Sequence, residues 1–389
     1  MRAAVATPRA RLHAKAADPR SAAFAVALGT VAVVGSLDGG YYASSWIWIG
    51  LGLAAVAALR LALGDPYPGR RALISLTALA ALVLWMLLSA RWGIAGTEAA
   101  REAGRCAMYA AGFAALVVVA RPSTTRAVLA GVLCGGVFLG VLALAERFVS
   151  PTPPDPYQGT LLFGPVGYAN ALGILVALSL VLAIGLLLGP AQSSARFALV
   201  AAAGVSAAAL VLTSSRGAWL ATVVGLLALA TLRGRSRRRV AIGLGALVGF
   251  CTVAALAGPS ISMGDRPAYW RAAASDASAH PLLGSGAGSF DDYWLVHRSI
   301  PAYVQDAHSL YLETAAELGV VGLALLGCVL LVPLATAVAA RRQPHVPVAA
   351  AAYVTFLVHA GLDWDWEMPA TTLAGLACAA ALLGSAHRP

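Results

Sequence analysis

Residues 169–189 read ANALGILVALSLVLAIGLLLG. The stretch carries no charge, and beyond Asn170 its one polar side chain is Ser179. Apolar residues occupy every helical face, so an α-helix formed here has no side to offer water. At 1.5 Å per residue it reaches about 30 Å, the thickness of a bilayer's hydrocarbon core. Similar runs recur near 21–37, 44–63, 72–90, 106–120, 126–145, 196–213, 217–232, 240–258, 318–340, 346–362 and 369–385, so twelve spans are expected. Composition agrees: of 389 residues, 60% are hydrophobic and 11% charged, with a mean hydropathy of +0.79. A soluble domain has about a quarter of its residues charged. A soluble enzyme, a secreted disulfide scaffold and a disordered chain are excluded, and an all-α polytopic membrane protein remains.

Between the runs the polar stretches divide into two sets. With the N-terminus in the cytoplasm, 19 of the 27 Lys and Arg fall on the inner side, and of the 17 acidic residues only Asp18 and Asp65 do. This is the positive-inside bias. The net charge of +10 therefore needs no nucleic acid; Arg233–Arg239 reads as an anchor for inner-leaflet lipids. The expected organisation is a cytoplasmic tail (1–20), transmembrane helices one to nine (21–258), a large extracytoplasmic loop (259–317) and helices ten to twelve with a short cytoplasmic tail (318–389). The first apolar run lacks a clear signal-peptide cleavage pattern and reads as a retained helix. The polar stretch 91–105 (Glu98, Arg101, Glu102, Arg105) is expected along the interface, and 150–168 as a Pro/Gly-rich loop. Five scattered Cys give neither a disulfide framework nor a CxxC metal site.

Charges near membrane depth are costly and mark functional candidates. Four clusters share the outer side. Ser215-Arg216-Gly217 forms the short turn between spans seven and eight; a guanidinium there either snorkels to headgroups or grips phosphate. Asp265-Arg266-Pro267 opens a helix expected to run to about Ala279, with Trp270 one turn along. The Gly284-Ser285-Gly286-Ala287-Gly288 turn that follows has backbone N–H groups able to cradle an anion. Asp306, expected as an N-cap, precedes His308, Tyr311, Glu313 and Glu317, which lead into span ten. His308 suits a general base for a sugar hydroxyl, and Glu313 and Glu317 share a helical face on which to orient it or bind sugar. The fourth cluster is His359 with Asp363-Trp364-Asp365-Trp366, which reads as ion pairing to an outer Arg, sugar contact or a metal site.

These motifs, in this order and on one side, resemble the O-antigen ligase/polymerase superfamily of bacterial membrane glycosyltransferases. The likeness rests on Ser215-Arg216-Gly217, Asp265-Arg266 with Trp270, Pro281 with Gly284, Gly286 and Gly288, and His308-Ser309-Leu310-Tyr311 with Glu317 and Gly319. Gly167-Tyr168-Ala169-Asn170 is a looser match, and Ser309 stands where family members often have Asn. The strong part covers about residues 160–340. The resemblance implies a GT-C-like membrane fold in the cytoplasmic membrane with an extracytoplasmic site. Its implied donor is a glycan on a polyprenyl pyrophosphate, and its acceptor a glycan, lipid or protein, with no metal or cofactor. Arg216 and Arg266 would grip pyrophosphate and His308 would activate the acceptor. Ser215, Trp270, Tyr311, Glu317, Asn170 and Asp363 are the further expected substrate contacts. A membrane transporter of a small solute or glycan precursor is the rival reading. It calls for polar groups or broken helices at mid-membrane, in repeated halves.

Overall fold

The computed structural model describes residues 18–65, 67–93, 96–149, 155–190, 192–233 and 264–386. The predicted span 240–258, the basic residues Arg235–Arg239, Cys251 and the N-terminal charges through Lys15 lie outside the described residues. Among those described there are thirteen α-helices and no strand beyond an isolated bridge between Asp155 and Gly159. In chain order they are α1 (Pro19–Gly35), α2 (Ala43–Ala62), α3 (Arg70–Ser89), α4 (Gly96–Val119), α5 (Thr125–Val149), α6 (Ala169–Leu187), α7 (Ser193–Thr213), α8 (Arg216–Leu232), α9 (Arg266–Ala279), α10 (Phe290–His297), α11 (Leu310–Ala340), α12 (Val346–Ala360) and α13 (Pro369–Ser385).

Seven of them (α2 to α7 and α11) are long and apolar enough to cross a membrane. Four shorter apolar helices, α1, α8, α12 and α13, fall where spans one, eight, eleven and twelve are expected. The protein is a multi-pass, all-helical membrane protein. Burial separates the helices into centre and rim. Every residue of α13 except Thr372 is buried, whereas α2 buries only Trp46, Ala57 and Arg60. Small residues make the centre possible: α13 reads PATTLAGLACAAALLGS, and its Gly375 lies against the Phe356 ring of α12. Without a hydrophobic drive between helices in lipid, such close approach supplies the packing attraction.

Two expectations are corrected. Residues 96–105 do not lie along an interface; they form the first turns of α4, which continues unbroken to Val119. Glu102 and Arg105 are buried there because Arg105 pairs with both Glu102 and Glu367, and the neutralisation by Arg105 lets a charged segment enter the bundle. Asp306 does not cap span ten. The N-cap is Ser309, and the Glu313 carboxylate reaches back to accept from Ala307 N at 2.7 Å.

The segment between α8 and α11 has a small core of its own among its described residues. Tyr269 and Ala273 of α9, Phe290 and Trp294 of α10, and Ala307 pack together with Ala316 of α11. Helix α11 is interrupted at Gly319, whose φ of 63° and ψ of −163° are open only to glycine. The break brings its backbone against Leu282 and Gly284, so the segment joins span ten without a gap.

Candidate functional site

The turn between α7 and α8 is built for close approach. Ser214 closes α7 in the left-handed region at φ 52°, and Ser215 caps α8 by accepting from Ala218 N at 3.3 Å. Ser215 is buried under α6, where a Cβ on Gly173 would stand 2.8 Å from the Ser215 Cβ. Arg216 is exposed at the first position of α8. The N-terminal N–H groups and positive dipole end of this helix favour an anion beside it.

Helix α9 starts at Arg266, as its Pro267 leads one to expect, and runs to Ala279. Arg266 pairs with Asp363, on the turn after α12. Asp363 is 1% exposed and fully engaged: Asn170 Nδ2 donates at 2.6 Å, Tyr168 OH at 3.0 Å and Trp364 N at 2.9 Å. Three segments distant in sequence, 168–170, the start of α9 and the turn after α12, therefore meet at one carboxylate. The Tyr168 ring stacks on Trp364 with centroids 4.7 Å apart, closing that side. Of the readings open for Asp363, ion pairing to an outer Arg is the one seen.

His308 stands beside this group. Its φ of 55° makes it one of three non-glycine residues in the left-handed region among those described; Ser214 is another. Such strain persists where the surroundings over-determine it, and here it falls at the candidate site. The His308 Nδ1 lies 3.1 Å from the Asp306 carbonyl oxygen, and Trp270 Nε1 donates to the His308 carbonyl at 3.3 Å. A carbonyl oxygen only accepts, so Nδ1 carries the proton and Nε2 keeps its lone pair. The ring packs against Tyr269, 5.2 Å between centroids. Burial lowers the imidazole pKa from its ordinary value, against the opposing pull of Asp363. A base that is neutral near physiological pH results.

Two expected contacts have structural partners instead. Glu317 accepts from Gly288 N at 2.9 Å and Phe290 N at 3.0 Å. The glycine turn does cradle an anion, but that anion is the protein's own Glu317, which removes Glu317 from the sugar-binding set. Tyr311 OH donates to the Leu357 carbonyl at 2.7 Å, and its ring lies over Gly361, tying α11 to α12.

Sequence reasoning missed a second ionic group next to the first. Arg105 Nη2 donates to Glu367 Oε1 at 2.7 Å and also to Glu102, while its guanidinium lies 5.6 Å from the Trp46 ring and 5.3 Å from the Trp366 ring. Burial, and then the Glu367 charge, hold the Asp306 carboxyl well above the usual carboxylate range. Asp306, Glu313 and Glu367 bring one oxygen each within 4.8 Å and form the set best able to hold a metal ion among the described residues. The Asp-Trp-Asp metal reading fails on geometry, since Asp363 turns to Arg266 and Asp365 to His359. The available signal was the Glu-x-x-Arg spacing at 98–105, which demands a buried or interfacial partner.

The comparisons with known proteins place the chain. No curated protein matches it. Residues 198–327, from α7 into α11, match the family model described as O-antigen ligase. That segment holds Ser215, Arg216, Arg266, His308 and the glycine turn, so the part of the chain that carries the expected motifs is the part similar to the O-antigen ligase family.

Proposed function

We propose that the protein is a glycosyltransferase of the ligase or polymerase kind. It moves an oligosaccharide or polysaccharide from a polyprenyl-pyrophosphate carrier to an acceptor hydroxyl at the outer face of the cytoplasmic membrane. The observation that carries this reading is the convergence of Arg266, Asn170, Asp363 and a His308 whose Nε2 lone pair is unprotonated. In this reading both chain ends are cytoplasmic, and membrane lipids and the carrier lipid are the partners.

The chemistry follows from the compartment. Outside the membrane there is no nucleotide supply, so the donor arrives already activated. His308 Nε2 takes the proton of the acceptor hydroxyl as its oxygen attacks the anomeric carbon. The glycosidic C–O bond to the pyrophosphate breaks, and the lipid pyrophosphate leaves with the bonding electrons. Arg216 and Arg266 stabilise the charge that develops on the leaving group, as fixed cations in a site poor in water. Trp270 acts through the backbone of His308 and is a positioning residue.

The transporter reading calls for a polar path at mid-membrane, and three of the polar side chains there, Ser179 of α6, Thr336 of α11 and Thr355 of α12, are each tied to a carbonyl four residues back in their own helix. The test is glycan analysis in a strain lacking the protein, complemented with wild type or His308→Ala. Single repeat units left on the carrier lipid indicate a polymerase, and unattached full-length polymer a ligase. Unchanged glycans in both backgrounds would refute the reading.

A further inference from the structure

The break of α11 at Gly319 has to be sealed, because a backbone group without a partner finds no water among lipid chains. The stretch after α9 does the sealing. Val320 N donates to the Pro281 carbonyl at 2.9 Å, Ser285 N to the Ala316 carbonyl at 3.0 Å and Gly286 N to the Glu317 carbonyl at 2.8 Å. Trp85 Nε1 of α3 donates to the Leu318 carbonyl at 3.0 Å. The turn at 281–284 is therefore fixed at the level of Gly319.

The sequence sets that level. Residues 319–340 of α11 carry no charge and reach about 33 Å at 1.5 Å per residue. A bilayer's hydrocarbon core is about 30 Å thick. Arg341 and Arg342 end the run on one side, so Gly319 lies at the opposite edge of the core. Trp85 and Trp92, with ring centroids 5.3 Å apart, stand at the same edge, where an interfacial aromatic belt belongs.

The turn sorts its side chains by polarity. His280 Nδ1 and Ser285 Oγ both meet the Asp276 carboxylate of α9, at 2.8 and 2.7 Å. Between them Leu282 and Leu283 are left outward, 67% and 45% exposed. Val320, Val321 and Leu323, which follow the break on α11, are exposed as well. The two leucines thus continue, on a non-helical segment, the apolar surface that span ten shows to lipid.

We propose that the Leu282-Leu283 turn is inserted in the membrane, with both side chains among the acyl chains of the leaflet on the side of the candidate site. The backbone of the turn is satisfied by α11, so only hydrocarbon is offered to the bilayer. The segment that carries Arg266 and His308 is thereby held at a fixed height over the acyl chains.

The test uses the full chain with its five cysteines replaced by alanine, in phosphatidylcholine nanodiscs, with a bimane label on Leu283→Cys. Leu331→Cys, exposed within span ten, is the lipid control, and Ser278→Cys, exposed on α9, is the water control. Lipid brominated on its acyl chains should take the fluorescence of the labels at 283 and 331 and spare the one at 278. Iodide in the buffer should do the reverse. Leu282→Cys repeats the measurement, in case a label at 283 disturbs the turn. Loss to iodide alone at both leucine positions would put the turn in water. No loss to either quencher would mean that protein covers it, from this chain or a partner. Either result overturns the proposal and leaves the glycosyltransferase reading as it stands.

Discussion

Two ionic groups sit side by side at one end of the bundle, built from the same turns, and they differ in how completely they are paired. Around Arg105 the guanidinium takes Glu367 with two nitrogens and Glu102 with one, and two indole faces cover it. Around Arg266 one guanidinium nitrogen meets Asp363, while Arg266 Nε, His359 Nε2 and Asp365 Oδ2 lack partners. The first group is closed and joins α4 to the turn before α13. The second is left partly unpaired, and of its spare atoms His359 Nε2 lies beside Gly217. Charges that hold a membrane fold together are consumed by each other, and charges that wait for a substrate are not. His308 touches both groups, through Asp306 on one side and the field of Asp363 on the other.

The sharpest way to test the contrast is to remove the base. His308→Ala is expected to cut transfer about 10²–10⁴-fold with unchanged membrane insertion and melting temperature, read by in vitro transfer from a lipid-linked donor. Retained activity would break the assignment of the open group to chemistry. Arg105→Ala is expected to act the other way. It leaves buried carboxylates unpaired and costs about 3–5 kcal/mol of stability, read as a large drop in thermal unfolding temperature in detergent. A normal melt with lost transfer would mean that the closed group is catalytic after all.

Milder changes sharpen the comparison. Asp363→Asn keeps hydrogen-bonding capacity but releases Arg266 from its counter-charge. Transfer should fall about tenfold through misplacement of Arg266, with a smaller loss of stability than Arg105→Ala. The pH dependence follows from the lowered pKa of His308. The base works when neutral, so activity is lost as pH falls through its pKa. The acid limb of the kcat profile should thus have its midpoint below about 6.5. The sign for stability is the same: the folded state binds this proton less readily than the unfolded chain, so this histidine favours folding less as pH falls through that window. The smallest expected effect is none. Chelators should leave transfer unchanged, and inhibition reversed by a divalent ion would direct attention to Asp306, Glu313 and Glu367.

Much of the fold was legible in the sequence because lipid allows so few solutions. Runs such as 169–189 or 126–145 contain nothing that could end a helix before it crosses. Pro267 marked the start of α9 to the residue. The errors came where charges were paired over long separations. Glu102 and Arg105 read as part of an interfacial stretch because the second partner of Arg105, Glu367, lies 262 positions away. The same blindness hid the joining of Asn170, Arg266 and Asp363. Each was picked individually, but no local pattern shows that one carboxylate gathers the other two. Glu317 was misread for a related reason. A glutamate on a helix face looks available until the loop that fills it is in place.

That loop has a consequence for anyone who would rebuild the protein. Gly286 packs on Gly93, Gly288 on Glu98, and Glu317 closes the turn from span ten. The segment that carries the glycine turn is thus keyed to the start of α4 and to α11, through contacts that admit no extra carbon atom at Gly284 or Gly286. It is not a portable cassette. A chimera that exchanges 259–317 alone would present foreign backbone to a lock cut for this one.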